Sequence, residues 1–350
     1  MGLPLRVIVV DDSALLVEAL TDALEEEGEF KVVGTASNGR DAVALVERLC
    51  PDLVTMDAQM PVMDGLDAVE RIMAKAPTRI VIITSEPKGR GGELVFDALA
   101  RGALDVIPKQ PMLEGSREAR SLRERLKLLV RVPLRTRAPR VVLPRTGSRG
   151  APGAPCGVIG VAASTGGPAL LESLLGGLPA NFPAAVLIVQ HIAEGFTPKL
   201  ASWLGRACAL EVRVARGAGE RLERGVVLFA PDGAHLMVDA GVGVRVDPAG
   251  AYHEGHKPSG SVLLSSIARH YGRRGGGLVL TGMGRDGCDG LMELKQAGGW
   301  TAAQDAASAA VDGMPKAARE SGAASEVLTP QELPGALVRV ATRWNNQAGG

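Results

Sequence analysis

Short apolar runs alternate with amphipathic stretches along nearly the whole chain. In the first third, Leu5–Val10, Lys31–Ala36, Leu53–Asp57, Arg79–Thr84 and Asp105–Ile107 are apolar runs of strand length. Residues 14–26, 39–49, 65–75 and 92–101 carry apolar positions at helical spacing, and Ser116–Val130 offers a fifth helix. Apolar strands separated by helices predict a parallel α/β sheet buried on both faces. The pattern then breaks. Residues 131–155, RVPLRTRAPRVVLPRTGSRGAPGAP, are rich in Pro, Gly and Arg and hold no Asp or Glu. That composition predicts an exposed linker, whose charge suits a solubilising tether or contact with an acidic partner. From Cys156 the alternation resumes. Strands are expected at Gly157–Ala162, Ala185–Gln190, Val226–Ala230, Gly277–Leu280 and Thr301–Ala303, with helices near 168–175, 259–271, 287–296 and 331–343. His235–Val246 reads as a small hairpin.

Composition narrows the picture. A chain of 350 residues suits two domains of ordinary size. Apolar residues at 46% supply a core for each, and aromatics at 3% make those cores aliphatic. Basic and acidic residues number 39 each, so the formal net charge is zero and no electrostatic case exists for nucleic acid or an anionic membrane as partner. Cys50, Cys156, Cys208 and Cys288 are far apart and read as free thiols in a reducing compartment. The N-terminal apolar run is too short for a signal peptide or a membrane span. A cytoplasmic location without membrane insertion is expected.

Two constellations carry chemistry. In the first, Asp11 and Asp12 end the first strand, Asp57 the third and Thr84 the fourth, and Lys109 follows the fifth. In a parallel sheet these ends share one edge. Three carboxylates meeting there repel one another unless a hard cation such as Mg²⁺ joins them. One can then accept a phosphoryl group, with the hydroxyl and the ammonium holding its oxygens. Taken singly, Asp11 and Asp12 read as helix caps and Asp57 as a loop acid; the five together favour the site.

In these positions VIVVDDS, DLVTMDAQMPVMDGLDA, VIITSE and GALDVIPK resemble the response-regulator receiver domain, across residues 1–125. The resemblance implies a flavodoxin-like five-stranded parallel sheet, phosphorylation at Asp57 by a histidine kinase, Mg²⁺ on Asp11, Asp12 and Asp57, and phosphoryl contacts from Thr84 and Lys109. One departure is that Gln110 stands between Lys109 and Pro111.

The second constellation starts at VIGVAASTGGPALL, residues 158–171, where a strand stops at Ser164 and a helical pattern follows two glycines. A hydroxyl on such a turn suits a nucleophile, a helix N-cap or an anion site. The G-x-S-x-G elbow is not met, because position 162 is Ala. His191 directly follows the strand Ala185–Gln190, which puts it on the same sheet edge as Ser164 and makes it the candidate base. His235 and His270 read as structural. His253 and His256 lie in a polar loop that can line a cleft or, less favourably, hold zinc. Asp286, in the glycine-rich loop of LVLTGMGRDGCDG, is the candidate orienting carboxylate. Asp289 competes with it but suits the first turn of the next helix. That loop's glycines also suit a phosphate, though no Walker pattern is present. Residue types alone leave a hydrolase and a noncatalytic cleft both open.

The segments ASTGGP, IVQHI, APDGAHL, HKPSGSVLLSSIA, LTGMGRDG and AQDAASAAVDGMPKAA resemble the catalytic domain of the chemotaxis methylesterase/glutaminase family. The implied organisation is a receiver at 1–125, a linker at 126–155 and a doubly wound, mostly parallel α/β catalytic domain with a small antiparallel hairpin at 156–346. The implied activity is hydrolysis of glutamate γ-methyl esters, and deamidation of selected glutamines, on methyl-accepting chemoreceptors. Ser164 is then nucleophile, His191 base and acid, and Asp286 orienting carboxylate, with oxyanion or cleft contacts from Thr165, Gly166, Met283 and Gly284. The hydrolytic step needs no cofactor. Departures are Ala162 for a glycine and Ser261 where an aspartate often follows the Pro-Ser pair. A phospho-dependent receptor-binding module with vestigial catalysis is the alternative, and a small-molecule esterase under receiver control a third reading.

Overall fold

The computed structural model describes residues 3–84, 91–109, 116–132, 134, 156–217, 219–239 and 243–348. The chain divides into two compact units, Met1–Arg140 and Val141–Gly350.

The first unit runs β1 Leu5–Val10, α1 Ala14–Glu25, β2 Phe30–Ala36, α2 Gly39–Leu49, β3 Leu53–Met56, α3 Gly65–Lys75, β4 Arg79–Thr84, α4 Gly91–Arg101, β5 Asp105–Pro108 and α5 Arg117–Val130. Its strands lie in the order β2-β1-β3-β4-β5 and every pairing is parallel. This is the flavodoxin-like order, with a switch point at β1/β3. Polar side chains start the helices at their predicted ends: Asn38 Oδ1 accepts from Asp41 N at 3.0 Å and Asp64 Oδ1 from Asp67 N at 2.9 Å. Helix α5 runs through the 125/126 point taken as the domain edge. Nearly all of 131–155, and the Gln110–Pro111 departure, lie outside the described residues.

The second unit runs β6 Val158–Ala163, α6 Gly167–Gly176, β7 Ala185–Gln190, α7 Thr197–Ala207, β8 Glu211–Val214, β9 Val226–Phe229, β10 His235–Val238, β11 Val244–Asp247, α8 Gly260–Tyr271, β12 Gly275–Val279, α9 Cys288–Gln296, β13 Trp300–Gln304, α10 Met314–Glu320, β14 Glu326–Leu328 and α11 Leu333–Ala348. Seven strands form one parallel sheet in the order β14-β13-β12-β6-β7-β9-β8. The antiparallel pair β10–β11 stands apart, as the expected hairpin. The chain leaves β6 towards β7 on one side and β12 towards β13 on the other, so the topological switch point is β6/β12.

Four elements were not expected. Strand β8, sequence EVRV, is an edge strand whose charged side chains mask its periodicity and discourage edge pairing. Strand β14 is a three-residue edge, and α10 spans seven residues, too short for a periodic signal. Helix α7 starts at Thr197-Pro198, where the proline reads as a break but sits in the first turn.

Strand β12 begins at Gly275, two residues before the expected Gly277, because the start of the triplet Gly275-Gly276-Gly277 favours a loop by local propensity. The triplet is strand because nothing larger fits. A Cβ on Gly275 would meet Ile267 at 2.7 Å, and one on Gly277 would meet Leu291 at 2.6 Å. The same tight fit passes through the start of α8. Ala162 replaces the expected glycine, and its methyl is opposed by two glycines: a Cβ on Gly260 would lie 2.5 Å from it, and one on Gly287 3.0 Å. The Gly260→Ala variant should therefore lose about 1–3 kcal/mol of stability, as overpacked cores do. Adding Ala162→Gly should restore most of it. Urea unfolding of both variants checks this; a double variant as unstable as the single one would exclude the contact as the cause.

Candidate active site

Ser164 directly follows β6 and His191 directly follows β7, and Ala163 is paired with Gln190 in the parallel ladder. The two residues thus occupy equivalent positions on neighbouring strands, about 5 Å apart across the sheet. The backbone fixes both. His191 N donates to Ala163 O at 2.8 Å, and Ser164 N to Thr281 O at 2.9 Å. The Gln190 side-chain amide donates to Ser164 O at 2.8 Å and to His191 O at 2.9 Å, clamping the two strand ends together.

Ser164 does not cap α6. The N-cap is Gly166, at φ 78°, with no side-chain cap bond, and Gly167 N donates to the Ser164 carbonyl at 2.8 Å. Gly166 is needed both for that left-handed turn and because a Cβ would lie 2.5 Å from Ala310. The hydroxyl is left free of a capping duty.

Asp286 lies in the loop after β12, fully buried, with Nε2 of His191 2.9 Å from its Oδ2. That contact falls short of hydrogen-bond alignment, and Nδ1 of His191 is buried without a partner. The carboxylate is otherwise held by the start of α8. The Ser259 hydroxyl donates to Oδ1 at 2.6 Å, Gly260 N to Oδ2 at 2.6 Å and Ser261 N to Oδ1 at 3.1 Å. Burial alone would raise the Asp286 carboxyl. The close approach and charge of His191, then the Ser259 and Gly260 donors, outweigh burial and hold it far below the ordinary carboxylate range. Ser259 and Ser261 were missed as functional; their signal was the S-x-S spacing at a helix start. Ser261 Oγ accepts from Gly287 N at 2.8 Å, tying α8 to the loop that carries Asp286.

The other histidines separate. His235 is buried, with Nε2 2.9 Å from Ala251 O and Nδ1 accepting from Ser259 N at 3.2 Å. His256 stacks on His191, ring centroids 4.1 Å apart. His253, weighed with His256 as a zinc pair, groups instead with Glu254 and Asp289 within 4.8 Å. Both of those carboxylates already meet Arg285, at 3.4 and 2.8 Å. Asp289 lies in the first turn of α9, as expected of it.

Around Ser164 the backbone N–H groups fall into two sets. Gly282 N is spent on Val311 O at 2.9 Å. Those of Thr165, Gly166, Met283 and Gly284 engage no acceptor among the described residues. Gly282 has no room for a side chain where the two loops meet: a Cβ there would lie 2.7 Å from the Ser164 Cβ. The chemistry of this assembly is that of a hydroxyl beside an imidazole, with unspent N–H donors and a buried anion behind the ring.

In the first unit, Asp11, Asp12 and Asp57 bring one carboxylate oxygen each within 4.8 Å of the others. That donor set suits a hard cation such as Mg²⁺. Lys109 Nζ lies 2.8 Å from Asp11 Oδ2 and 3.0 Å from Asp57 Oδ2. Lys109 N also donates to Thr84 O at 2.7 Å, fixing the β4 and β5 ends side by side. Burial pushes the Asp57 carboxyl up, helped by the Asp11 charge; Lys109 and the Ala58 N–H oppose it without cancelling it. Burial lowers the Lys109 ammonium, but its bonds to Asp11 and Asp57 leave it above the ordinary value.

Fold and site define a two-unit α/β protein: an acid-cluster receiver followed by a parallel-sheet unit with a serine, a histidine and a buried aspartate at its switch point. Known proteins agree. The CheB methylesterase family model matches residues 159–337, and the response regulator receiver domain model residues 7–117. A Myxococcus xanthus relative named protein-glutamate methylesterase/protein-glutamine glutaminase 3 is 41% identical over 346 residues, covering 97% of this chain and 94% of its own. A relative of the same name, numbered 2, from Anaeromyxobacter dehalogenans is 44% identical over 337 residues, covering 95% and 96%. The crystal structure of the Thermotoga maritima CheB methylesterase catalytic domain is 34% identical, covers 53% of this chain and 98% of that one, and has a TM-score of 0.51. The chain belongs to the CheB methylesterase family, with an N-terminal response-regulator receiver domain.

The Asp286 anion stabilises the fold above its unfolded-state range near pH 4, and that contribution is lost as pH falls below it. Asp286→Asn should cost about 1–3 kcal/mol at neutral pH, since an amide NH₂ would face the Ser259 and Gly260 donors. Its unfolding midpoint should also fall less steeply than that of the wild type below about pH 4. Parallel acid profiles for the two proteins would refute the assignment of the anion.

Proposed function

We propose that this chain is a phosphorylation-controlled protein-glutamate methylesterase, with glutaminase activity, acting on methyl-accepting chemoreceptors in the cytoplasm. The observation that carries the reading is the convergence of Ser164, His191 and buried Asp286 at the β6/β12 switch point, in a chain whose full-length relatives bear that activity in their names. Among the described residues no helix is long and apolar enough to cross a membrane.

Ser164 Oγ attacks the γ-ester carbonyl of a receptor glutamate as its proton passes to His191. Nδ1 is the ring nitrogen left for this, because Nε2 faces Asp286. Asp286 orients the ring and stabilises the imidazolium that forms. N–H groups among Thr165, Gly166, Met283 and Gly284 hold the oxyanion. Methanol departs with the proton returned from His191. Water then attacks the acyl carbonyl, His191 takes a proton from it, and free glutamate and Ser164 are regenerated. A glutamine follows the same course with ammonia as the leaving group.

Control resides in the receiver. A histidine kinase supplies the phosphoryl group, Asp57 accepts it, and Lys109 and the Thr84 hydroxyl bind its oxygens. Asp11, Asp12 and Asp57 would hold a Mg²⁺ ion, which would supply charge neutralisation for that transfer. Phosphorylation then favours forms in which the receptor reaches the Ser164 cleft, with the Pro/Gly/Arg-rich segment as tether.

The test is methanol release from methylated chemoreceptor membranes, with and without a small phosphodonor and Mg²⁺. Release should rise with the phosphodonor. Ser164→Ala should fall below a few per cent of wild type, and Asp57→Ala should keep basal release but lose the response. Folded wild-type protein that releases nothing from several receptors would favour the binding-module reading instead.

A further inference from the structure

His256 has no part in the reaction as written, yet its ring lies against the base. The His191 and His256 planes are within 2° of parallel at a centroid separation of 4.1 Å. A tight turn presents that ring. His253 and His256 exchange both backbone hydrogen bonds, at 3.1 and 2.9 Å. Between them Glu254 and Gly255 have φ of 49° and 82°, the signs of a type I′ turn. A glutamate in the left-handed region is uncommon and signals a built feature. The Glu254 carboxylate meets Arg285 at 3.4 Å, one residue from Asp286. The turn that offers His256 is thus tied to the loop that offers the buried anion.

The stack answers a need in the site. Rotation of an imidazole about χ2 is soft and roughly two-fold. The single contact of Nε2 with Asp286 is off hydrogen-bond alignment, and Nδ1 has no partner, so polar contacts alone leave the His191 plane under-determined. A flat ring on its face removes that freedom. The groups facing His256 are His191 and Asp286 from the sheet edge and His253 and Glu254 from its own turn. Burial, then the charge of His191, hold His256 below the ordinary imidazole value, while Asp286 and Glu254 pull the other way.

We propose that His256 is a positioning residue for the hydrolysis: its flat ring clamps His191 in the plane that keeps Nε2 on Asp286 and Nδ1 open to Ser164. The inference rests on the Ser164–His191–Asp286 reading above. It assigns His256 no proton of its own to transfer.

The test compares His256→Ala and His256→Phe in the full chain, by methanol release from methylated receptor membranes. His256→Ala should lower kcat about 10- to 100-fold, the scale of a misplaced catalytic group. KM should stay within about twofold, because the receptor is not what His256 holds. His256→Phe keeps a flat ring and should recover kcat to within about threefold. A His256→Ala protein with wild-type kcat would overturn the proposal. So would a folded His256→Phe protein as slow as His256→Ala, which would assign the ring nitrogens rather than the stack. If His256→Ala fails to fold, the His256→Phe kcat decides alone. Residual turnover in Ser164→Ala would defeat the triad reading instead, whatever the His256 variants do.

Discussion

The second unit is organised around one buried anion. Asp286 is removed from water and would be costly to bury alone. Three donors at the start of α8 meet it, where the helix N-terminus already favours negative charge. That requirement dictates the surrounding sequence. Ser259 must supply a hydroxyl, Gly260 must bring its N–H close without a side chain, and Ser261 must reach back to Gly287. Helix α9 then lies so close to α8 that a Cβ on Gly290 would fall 2.3 Å from the Ser261 carbonyl oxygen. The crowded glycines of this unit are the space the anion's partners need.

The strand ends give the rest of the site its geometry. A parallel ladder sets Ser164 beside His191 with no further specification, and Gln190 locks the two carbonyls in place. The backbone amides then separate by use. Those that hold the loops together are bonded, while those at Thr165, Gly166, Met283 and Gly284 are unspent among the described residues. Donors held rigid and unsatisfied are the form of preorganisation that stabilises charge as it develops.

What the chain displays in advance and what it hides divide along physical lines. The receiver strands, the switch-point strands and the strand-end residues were legible because buried parallel strands are apolar throughout and their chemistry sits one residue past the run. Asp11, Asp57, Ser164 and His191 all follow that rule. Strands β8 and β14 were not, because short or charged edge strands carry no periodic signal. Gly275 and Gly276 fell outside the expected strand because local propensity favours a loop there, whereas packing against Ile267 and Trp344 leaves no room for a side chain. Ser259, Ser261 and His256 escaped for a different reason. Their roles depend on which loops meet in space, and neither a cap-like serine nor a loop histidine announces its partner.

The two aspartates at the two sheet edges are poised in opposite directions. At Asp286 the donors and the facing histidine outweigh desolvation, so the anionic form is favoured. At Asp57 desolvation outweighs Lys109, and Asp11 adds repulsion, so the carboxylate has charge left unmatched. Such a group favours whatever brings further positive charge or spreads its own, which a divalent cation and a bound phosphoryl group each do. The same architecture, a carboxylate at the carboxyl edge of a parallel sheet, thus yields a fully compensated anion in one unit and an under-compensated one in the other. The difference lies in how many donors the neighbouring chain supplies: an entire helix start for Asp286, but one lysine, shared with Asp11, and one backbone N–H for Asp57.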